Sequence, residues 1–362
     1  MISLRPYQLA ACHAILATWK ECDSALAVMP TGCHAPDQAI LLWDGCVKAA
    51  KDIVLGDHLM GMDGTPRKVL FIHQGQKQMV KVIPVKGEPF VVTEDHVLTL
   101  VRTREKSDST RPCHNRHGEI IDVSILDWLT WPKWQKHIYK LFRVGVDFIP
   151  GPYLHLDPYV LGLLLGDGSF AANLNFTTPD QEAKDAVATE LANFGLTLKD
   201  AKCKCGAATC WSFTSGNYRH HKSWFRKNIL ERIGLNRITC ESKHVPDQYL
   251  TADRKARLAM LAGLLDSDGH LNNGGYDFIS ISPRMSHDVA FIARSVGLAA
   301  YVKECRKFCQ TGGGGTYWRV SISGDCHIIP CRIPRKKAAP RLQKKDVLRT
   351  GFSIQRMGIG DY

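Results

Sequence analysis

The sequence runs to 362 residues, 44% hydrophobic and 23% charged, a balance that excludes a disordered, collagenous or coiled-coil protein and allows two domains or one with a large insertion. Lysine and arginine number 47 against 35 acids, so the net charge is +12 and a polyanion, nucleic acid above all, is the expected partner. No stretch approaches the ~18 uninterrupted apolar residues of a membrane span, the first residues lack a signal-peptide layout, and 13 scattered cysteines suit reduced thiols, so a cytoplasmic, intracellular protein is expected.

Taken in chain order, Leu4, Tyr7, Leu9, Ile15, Leu16 and Trp19 are spaced for one apolar helix face, and Ala25–Met29 reads as a buried strand ending in Pro30-Thr31-Gly32. From Cys33 to about Pro150 the texture is different. Short runs rich in Val and Ile (Gln38–Trp43, Val69–His73, Met79–Val85, Phe90–Val92) alternate with turn signals and predict an all-β unit. Gly151-Pro152 marks a boundary.

Beyond that boundary the chain repeats itself. VLGLLLGDGSF, LNFTTPD, ELANFGL and CWSFTSGN are answered in the same order by LAGLLDSDGHL, YDFISISP, IARSVGL and YWRVSISGD. Asp167 and Asp268 lie 101 residues apart, and Gly195 and Gly297 lie 102 apart. Two copies of one αββαβ-like unit predict a domain with pseudo-two-fold symmetry. A basic stretch follows, with Arg332, Arg335, Lys336, Lys337, Arg341, Lys344 and Lys345; such a run is either a solvated face or part of a surface for nucleic acid.

The chemistry of the repeat lies at its acids. Gly162, Ala262 and Gly263 allow two helices to approach closely, because no large side chain holds the backbones apart. Each helix then ends in Asp-Gly, so side-by-side packing brings Asp167 and Asp268 together. Two carboxylates at the negative ends of helix dipoles repel each other, and a divalent cation, Mg²⁺ by preference for hard oxygen ligands, resolves the conflict. Such an ion between two acids can support phosphodiester cleavage. Polar faces of strands such as Asn175–Thr178 and Asp277–Ser282 suit a β-ribbon in the major groove. Cys203, Cys205 and Cys210, with Cys305 and Cys309 in the second copy, lack the spacing of the common zinc fingers, which makes zinc the lesser metal candidate.

Leu261–Gly269 resembles the LAGLIDADG motif at seven of nine positions, and Val160–Gly168 keeps Gly162, Leu163, Asp167 and Gly168. The chain is thus similar to dodecapeptide homing endonucleases in their single-chain, two-repeat form. The resemblance implies Asp167 and Asp268 as catalytic metal ligands, with Gly166 and Ser267 as adjoining metal positions, and a double-strand break in DNA. Lys199, Lys202 and Lys303 are candidate DNA-binding or electrostatic helpers, and Lys243, in Lys243-His244-Val245-Pro246, resembles a block that precedes the second acidic helix in this family.

The β-rich part carries a second resemblance. Cys33, the run ILLWDGCVKAAKDIVLGDHLMGMDG and Thr93-Glu94-Asp95-His96 in VVTEDHVLTL resemble the N-terminal portion of an intein. In that chemistry Cys33 attacks the Gly32 carbonyl to form a thioester, His96 protonates the leaving amine, and Thr93 hydrogen-bonds the developing oxygen or the strained amide. Asp57 and Asp63 read as turn formers. Upstream, Leu4-Arg5-Pro6-Tyr7-Gln8 and Ala27–Gly32 resemble the opening of a helicase-type ATPase whose phosphate loop breaks after Gly32, with no Gly-Lys-Ser/Thr anywhere in the chain.

The expected architecture is therefore a partial all-β Hint-type splicing domain with an inserted α+β LAGLIDADG endonuclease domain of pseudo-two-fold αββαββα repeats. The expected boundaries are a helicase-like host (extein) remnant over 1–32, the Hint portion over 33–152, the endonuclease over 153–334, and a basic linker with return to an incomplete Hint domain over 335–362. A terminal His-Asn and the nucleophile that follows an intein are absent after Tyr362, so release is expected to need further residues or a complementary C-terminal fragment in trans. The expected protein is a monomer that acts on double-stranded DNA. Its rivals are a DNA-binding protein with a degenerate nuclease core and a fragment of an ATP-dependent helicase.

Overall fold

The computed structural model describes residues 13, 33–103, 118–149, 151, 153–201, 209–215, 220–308, 314–342 and 345–362. The helix and strand read over 1–32 lie outside these residues except for His13, as do Lys202, Cys203, Cys205, Cys309 and Lys344.

Cys33 opens a β-rich unit. Strands β1 (Ala39–Leu41) and β2 (Val47–Ala49) form one antiparallel pair, and β3 (His58–Met60) and β4 (Pro66–Lys68) another. The turns obey their acids. Asp63 accepts from the backbone N–H of Thr65, and Asp57 accepts from that of Val54 and from the Lys48 ammonium. Next come β5 (Gln76–Pro84), β6 (Phe90–Thr93), β7 (Val97–Arg102) and β8 (Ile120–Ser124), helices α1 (Ile125–Thr130) and α2 (Lys133–Ile138), and β9 (Tyr139–Phe142). Val80, Val82, Val92, Leu98, Leu100 and Ile125 form the core of this unit.

The run Val69–His73, read above as a strand, does not form one. Only Val69 extends the β3–β4 ladder, its N–H donating to Asp57 O (2.8 Å) and its carbonyl accepting from the Gly56 N–H (3.0 Å); beyond it Leu70 and Phe71 stand 62% and 73% exposed. Phe71 lines a cavity of about 660 Å³ together with Cys33, Ile72 and Tyr362 among others.

The second unit shows the repeat directly. Its first half is α3 (Pro158–Asp167), β10 (Gly168–Ser169), β11 (Asn175–Thr177), α4 (Gln181–Ala192), β12 (Thr197–Asp200) and β13 (Cys210–Thr214), followed by α5 (His220–Phe225) and α6 (Asp247–Leu250). Its second half is α7 (Arg254–Asp268), β14 (Gly269–Asn272), β15 (Gly275–Ser280), α8 (Pro283–Ser295), β16 (Ala299–Phe308) and β17 (Gly314–Ser323). The sheets have the same order, β10-β11-β13-β12 and β14-β15-β17-β16. Burial alternates along β15, with Tyr276 and Phe278 inside and Asp277 and Ile279 less so, as a sheet with one face on the core requires.

Helices α3 and α7 form the axis between the halves. Asp157 and Asp253 start them, accepting from the N–H groups of Val160 (3.1 Å) and Ala256 (2.9 Å). α3 is apolar nearly all round, and α7 becomes so over Met260–Leu265, because these stretches lie at the centre of one core. Their contact is backbone on backbone: a Cβ on Gly263 would lie 2.0 Å from the Tyr159 carbonyl oxygen, and one on Gly162 2.5 Å from that of Met260. Neither oxygen can move without separating the helices. Gly263→Ala is therefore expected to destabilise at or above the top of the ~1–3 kcal/mol typical of overpacking, read as a lower denaturant midpoint with its slope unchanged.

The chain finally returns to the first unit. β18 (Arg349–Thr350) pairs with β9, and β19 (Phe352–Asp361) runs antiparallel along β5 with a bulge between Arg356 and Gly358. Phe352 stacks on Trp128 with ring centres 4.8 Å apart, so the returning strand contributes to the first core. The units also meet through Arg257 of α7. This fully buried guanidinium donates to the Val146 carbonyl (2.9 Å), to Asp147 (2.8 Å) and to the Ser295 hydroxyl, and lies over the Phe148 ring.

Candidate functional site

Asp167 and Asp268 are the last residues of α3 and α7, so the glycine contact that joins the helices also brings these two acids together. The glycines that follow are required for a reason other than the one anticipated. Gly168 and Gly269 have ordinary negative φ (−89° and −78°), but a Cβ would stand 2.3 Å from the Leu164 oxygen and 2.5 Å from that of Leu265. A Cβ on Gly166 would meet Ser267 Oγ at 2.0 Å and Asp268 Oδ2 at 3.2 Å, which places the second carboxylate against the first helix.

Neither carboxylate accepts a hydrogen bond among the described residues. Asp167 is half-buried, and burial first, then the neighbouring Asp268 charge, pushes its carboxyl up to about 6 against the pull of Lys336 and Lys243. Asp268 is reached by water in a cavity of about 800 Å³ shared with His270, Asp277, Lys307, Tyr317 and Arg319. Protein encloses its other sides, and its carboxyl is likewise raised by desolvation, with Lys243 and Lys336 opposing. Two unsatisfied carboxylates at two helix C-termini suit a hard divalent cation, and their oxygens are the groups to hold it.

Two lysines complete the arrangement, one for each helix end. Lys243 donates to the carbonyls of Gly166 and Gly168, each at 2.8 Å. Lys336 donates to those of Leu265 (3.1 Å), Asp266 (2.6 Å) and Ser267 (2.7 Å). Each ammonium satisfies carbonyls that a helix end leaves unpaired and brings positive charge beside an acid. Burial lowers both ammonium pKa values, while the acids resist.

Of the residues singled out from sequence, Asp167, Asp268 and Lys243 come together here. Gly166 and Ser267 adjoin them, but their carbonyls accept from Lys243 and Lys336, and Ser267 Oγ donates back to Gly263 O (3.0 Å) and Leu264 O (3.1 Å). Lys199 and Lys303 stand exposed on β12 and β16, where the register sets them opposite Ser212 and Arg319. They are sheet-surface cations, whereas Lys243 and Lys336 are the ones whose field bears on Asp268. Lys336 was not singled out, because nothing in the basic run marks it. The signal that finds it is symmetry: Lys243 and Lys336 each follow the last strand of one repeat. Cys210 and Cys305 are free, partly buried thiols.

The raised Asp167 carboxyl carries a pH signature. In the native state it keeps a proton that the unfolded chain loses near pH 4, so metal-free stability is expected to fall as pH rises from about 4 to 6, by roughly 3 kcal/mol at most. Above that window a cation competes with no proton. Thermal unfolding with and without Mg²⁺ should therefore show a larger stabilisation at pH 7.5 than at pH 5.

The second site is built around Cys33. An isolated bridge between His34 and Val92 seats the segment on β6. The Cys33 N–H donates to Thr93 Oγ1 at 2.9 Å, and the Thr93 N–H donates to the Cys33 carbonyl at 2.9 Å. Thr93 is fully buried, and its hydroxyl meets the Cys33 amide nitrogen, one of the two groups anticipated for it. His96 N–H donates to Thr93 O (3.0 Å), and its ring meets that of His34 edge-on at 4.9 Å. Lys77 pairs with Asp95 at 2.8 Å. Burial raises the Cys33 thiol, with Lys77 pulling it down and Asp95 adding to the rise. Gly32 lies outside the described residues.

Fold and sites together define a two-part class, a β-rich unit that opens on a cysteine and a symmetric unit with paired acids. Residues 33–133 match the family model of the Hom_end-associated Hint domain, and residues 255–329 match that of the LAGLIDADG-like domain. More particularly, the chain combines an intein-type Hint domain with a LAGLIDADG homing-endonuclease domain. Among curated proteins it is 26% identical over 259 residues to the replicative DNA helicase DnaB of Mycobacterium intracellulare, covering 68% of this chain and 39% of that protein. It is 31% identical over 94 residues to the catalytic subunit of the V-type proton ATPase of Candida tropicalis, covering 23% of this chain and 9% of that one. The chain thus spans well under half the length of these relatives. Among solved structures, I-DmoI in complex with DNA and Mn is 14% identical, covers 46% of this chain and 88% of its own, and has a TM-score of 0.32. The gp41-1 intein is 14% identical, covers 26% and 81%, and has a TM-score of 0.18.

Proposed function

We propose that this chain is an intein-borne homing endonuclease that makes a double-strand break in a specific DNA site and whose Hint domain performs the first step of protein splicing. The observation that carries the nuclease reading is the pair Asp167 and Asp268 at the ends of two helices in backbone contact, with a lysine seated on each helix end. A divalent cation such as Mg²⁺, held by these two carboxylates, supplies Lewis-acid stabilisation of the phosphodiester oxygens. The chain's own part is to orient the acids through the rigid helix pair and to set Lys243 and Lys336 where negative charge develops. The two four-stranded sheets offer Lys199, Lys303, Lys307 and Arg319 to the DNA, which gives the +12 charge a role.

At the other site Cys33 Sγ attacks the Gly32 carbonyl carbon. The C–N bond to Cys33 breaks, and the freed amine takes a proton, with His96 the donor and Thr93 holding that nitrogen. The segment Ala27–Gly32 and the likeness to a replicative helicase support a helicase host, interrupted in its phosphate loop inside a cell's cytoplasm. Both acids being in place weighs against a degenerate DNA-binding core.

The test is incubation of the purified chain and Mg²⁺ with a duplex carrying the uninterrupted host sequence. Cleavage of both strands at the junction, abolished by chelation, is expected. An intact duplex across a range of divalent ions overturns the proposal.

A further inference from the structure

The two lysines of the acid site are held in place by different means, and the difference centres on Asp266. This side chain lies two residues before Asp268 and is 2% exposed. Its Oδ2 accepts from the Tyr159 hydroxyl (2.8 Å) and from the backbone N–H groups of Arg332 (2.6 Å) and Ile333 (3.4 Å). The Arg332 guanidinium covers the Tyr159 ring 3.8 Å from its centre, and Ile333 is buried. The chain then makes a single turn over Pro334–Lys336, and Lys336 Nζ comes back to the carbonyls of Leu265, Asp266 and Ser267. Tyr276 closes the loop by donating to the Lys336 carbonyl at 2.5 Å. One residue thus fastens the segment with its carboxylate and receives the segment's lysine on its carbonyl.

The first repeat lacks this arrangement. Leu165 occupies the position equivalent to Asp266, fully within the core. The Lys243 segment is fastened from α8 instead, where Ser282 Oγ donates to the Lys243 carbonyl (2.7 Å) and Asp288 accepts from the Val245 N–H (2.9 Å). Loss of Asp266 would therefore loosen one lysine and leave the other seated.

We propose that Asp266 is a positioning residue that holds Lys336 at the end of α7, so that one of the two strand cuts depends on it and the other does not. The inference rests on the nuclease reading above, but its structural half stands apart from it. Outer-shell partners of this kind are worth about ten- to a hundred-fold in activity.

The experiment compares wild type with Asp266→Leu, which copies the natural residue of the first repeat, Asp266→Asn, which keeps an acceptor oxygen, and the milder Tyr159→Phe. On supercoiled plasmid bearing the target, Asp266→Leu should accumulate nicked circles, with one strand slowed about ten- to a hundred-fold and DNA affinity retained. Asp266→Asn should recover part of the loss, and Asp266→Leu should add nothing in a Lys336→Met background. Equal slowing of both strands, or multiplicative effects in the double variant, would overturn the assignment. A second readout needs no cleavage. Cys331, buried and within 3.5 Å of the Tyr276 hydroxyl, should be alkylated faster in Asp266→Leu, and to a smaller degree in Tyr159→Phe, as read by peptide mass spectrometry. Cys331 as protected as in wild type overturns the proposal even if wild type cuts no DNA; faster alkylation in a chain that cuts no DNA supports the positioning and sinks the nuclease reading instead.

Discussion

Asp167→Asn and Asp268→Asn are each expected to abolish double-strand cleavage, lowering the rate by roughly 10²–10³ or more, as losses of preorganised charge at a reacting centre do. The substitution keeps shape and replaces one carboxylate oxygen by an uncharged amide nitrogen, so the helix contact at Gly162 and Gly263 survives. It should also leave a stability signature of opposite sign. Both carboxyls are raised by desolvation, so their ionised forms cost the metal-free protein stability at neutral pH. Each Asn variant should melt higher than wild type at pH 7.5 without metal and should lose the stabilisation by Mg²⁺. Activity falling while the melting temperature rises separates a functional acid from a structural one. Unchanged cleavage by the double variant would remove these carboxylates from the mechanism.

Cys33→Ala should stop thiol-induced release of residues 1–32. An external thiol can intercept a thioester but not an amide, so release reports the acyl shift from the Cys33 nitrogen to its sulfur. The pH profile should climb through the alkaline range, since burial raises this thiol and the thiolate is the attacking form. Thr93→Ala should slow release several-fold rather than abolish it, because its hydroxyl makes one neutral hydrogen bond to the leaving nitrogen, worth about 1 kcal/mol. Gel or mass measurement of the 1–32 fragment after dithiothreitol checks both. Release that persists in Cys33→Ala would refute the thioester step.

Much of this was legible in the residues, for particular reasons. Small residues followed by Asp-Gly, twice at matched spacing, carry information about packing and chemistry together, so α3, α7 and their acids could be read directly. Thr93 and His96 lie three apart in one turn, and local geometry kept them together. The lysines were harder. Seven cations from Arg332 to Lys345 look alike in one dimension, yet among the described ones only Lys336 reaches the carbonyls of α7. Lys199 and Lys303 stand exposed on their strands, where a polyanion can reach them. The apolar run Val69–His73 misled because a strand needs a partner edge, and partnership is a property of the fold.

The pairing of Phe142 with Arg349 and of Leu141 with Thr350 has a genetic consequence. Opposed residues in an antiparallel ladder sit about 5 Å apart, so the two ends of everything between β9 and β18 emerge side by side from a single sheet. A recombination event that deleted the intervening codons would leave ends that a short loop can join, with β19 still seated on β5. The nuclease gene segment can therefore be gained or lost as a cassette while the recipient reading frame goes on specifying the same sheet.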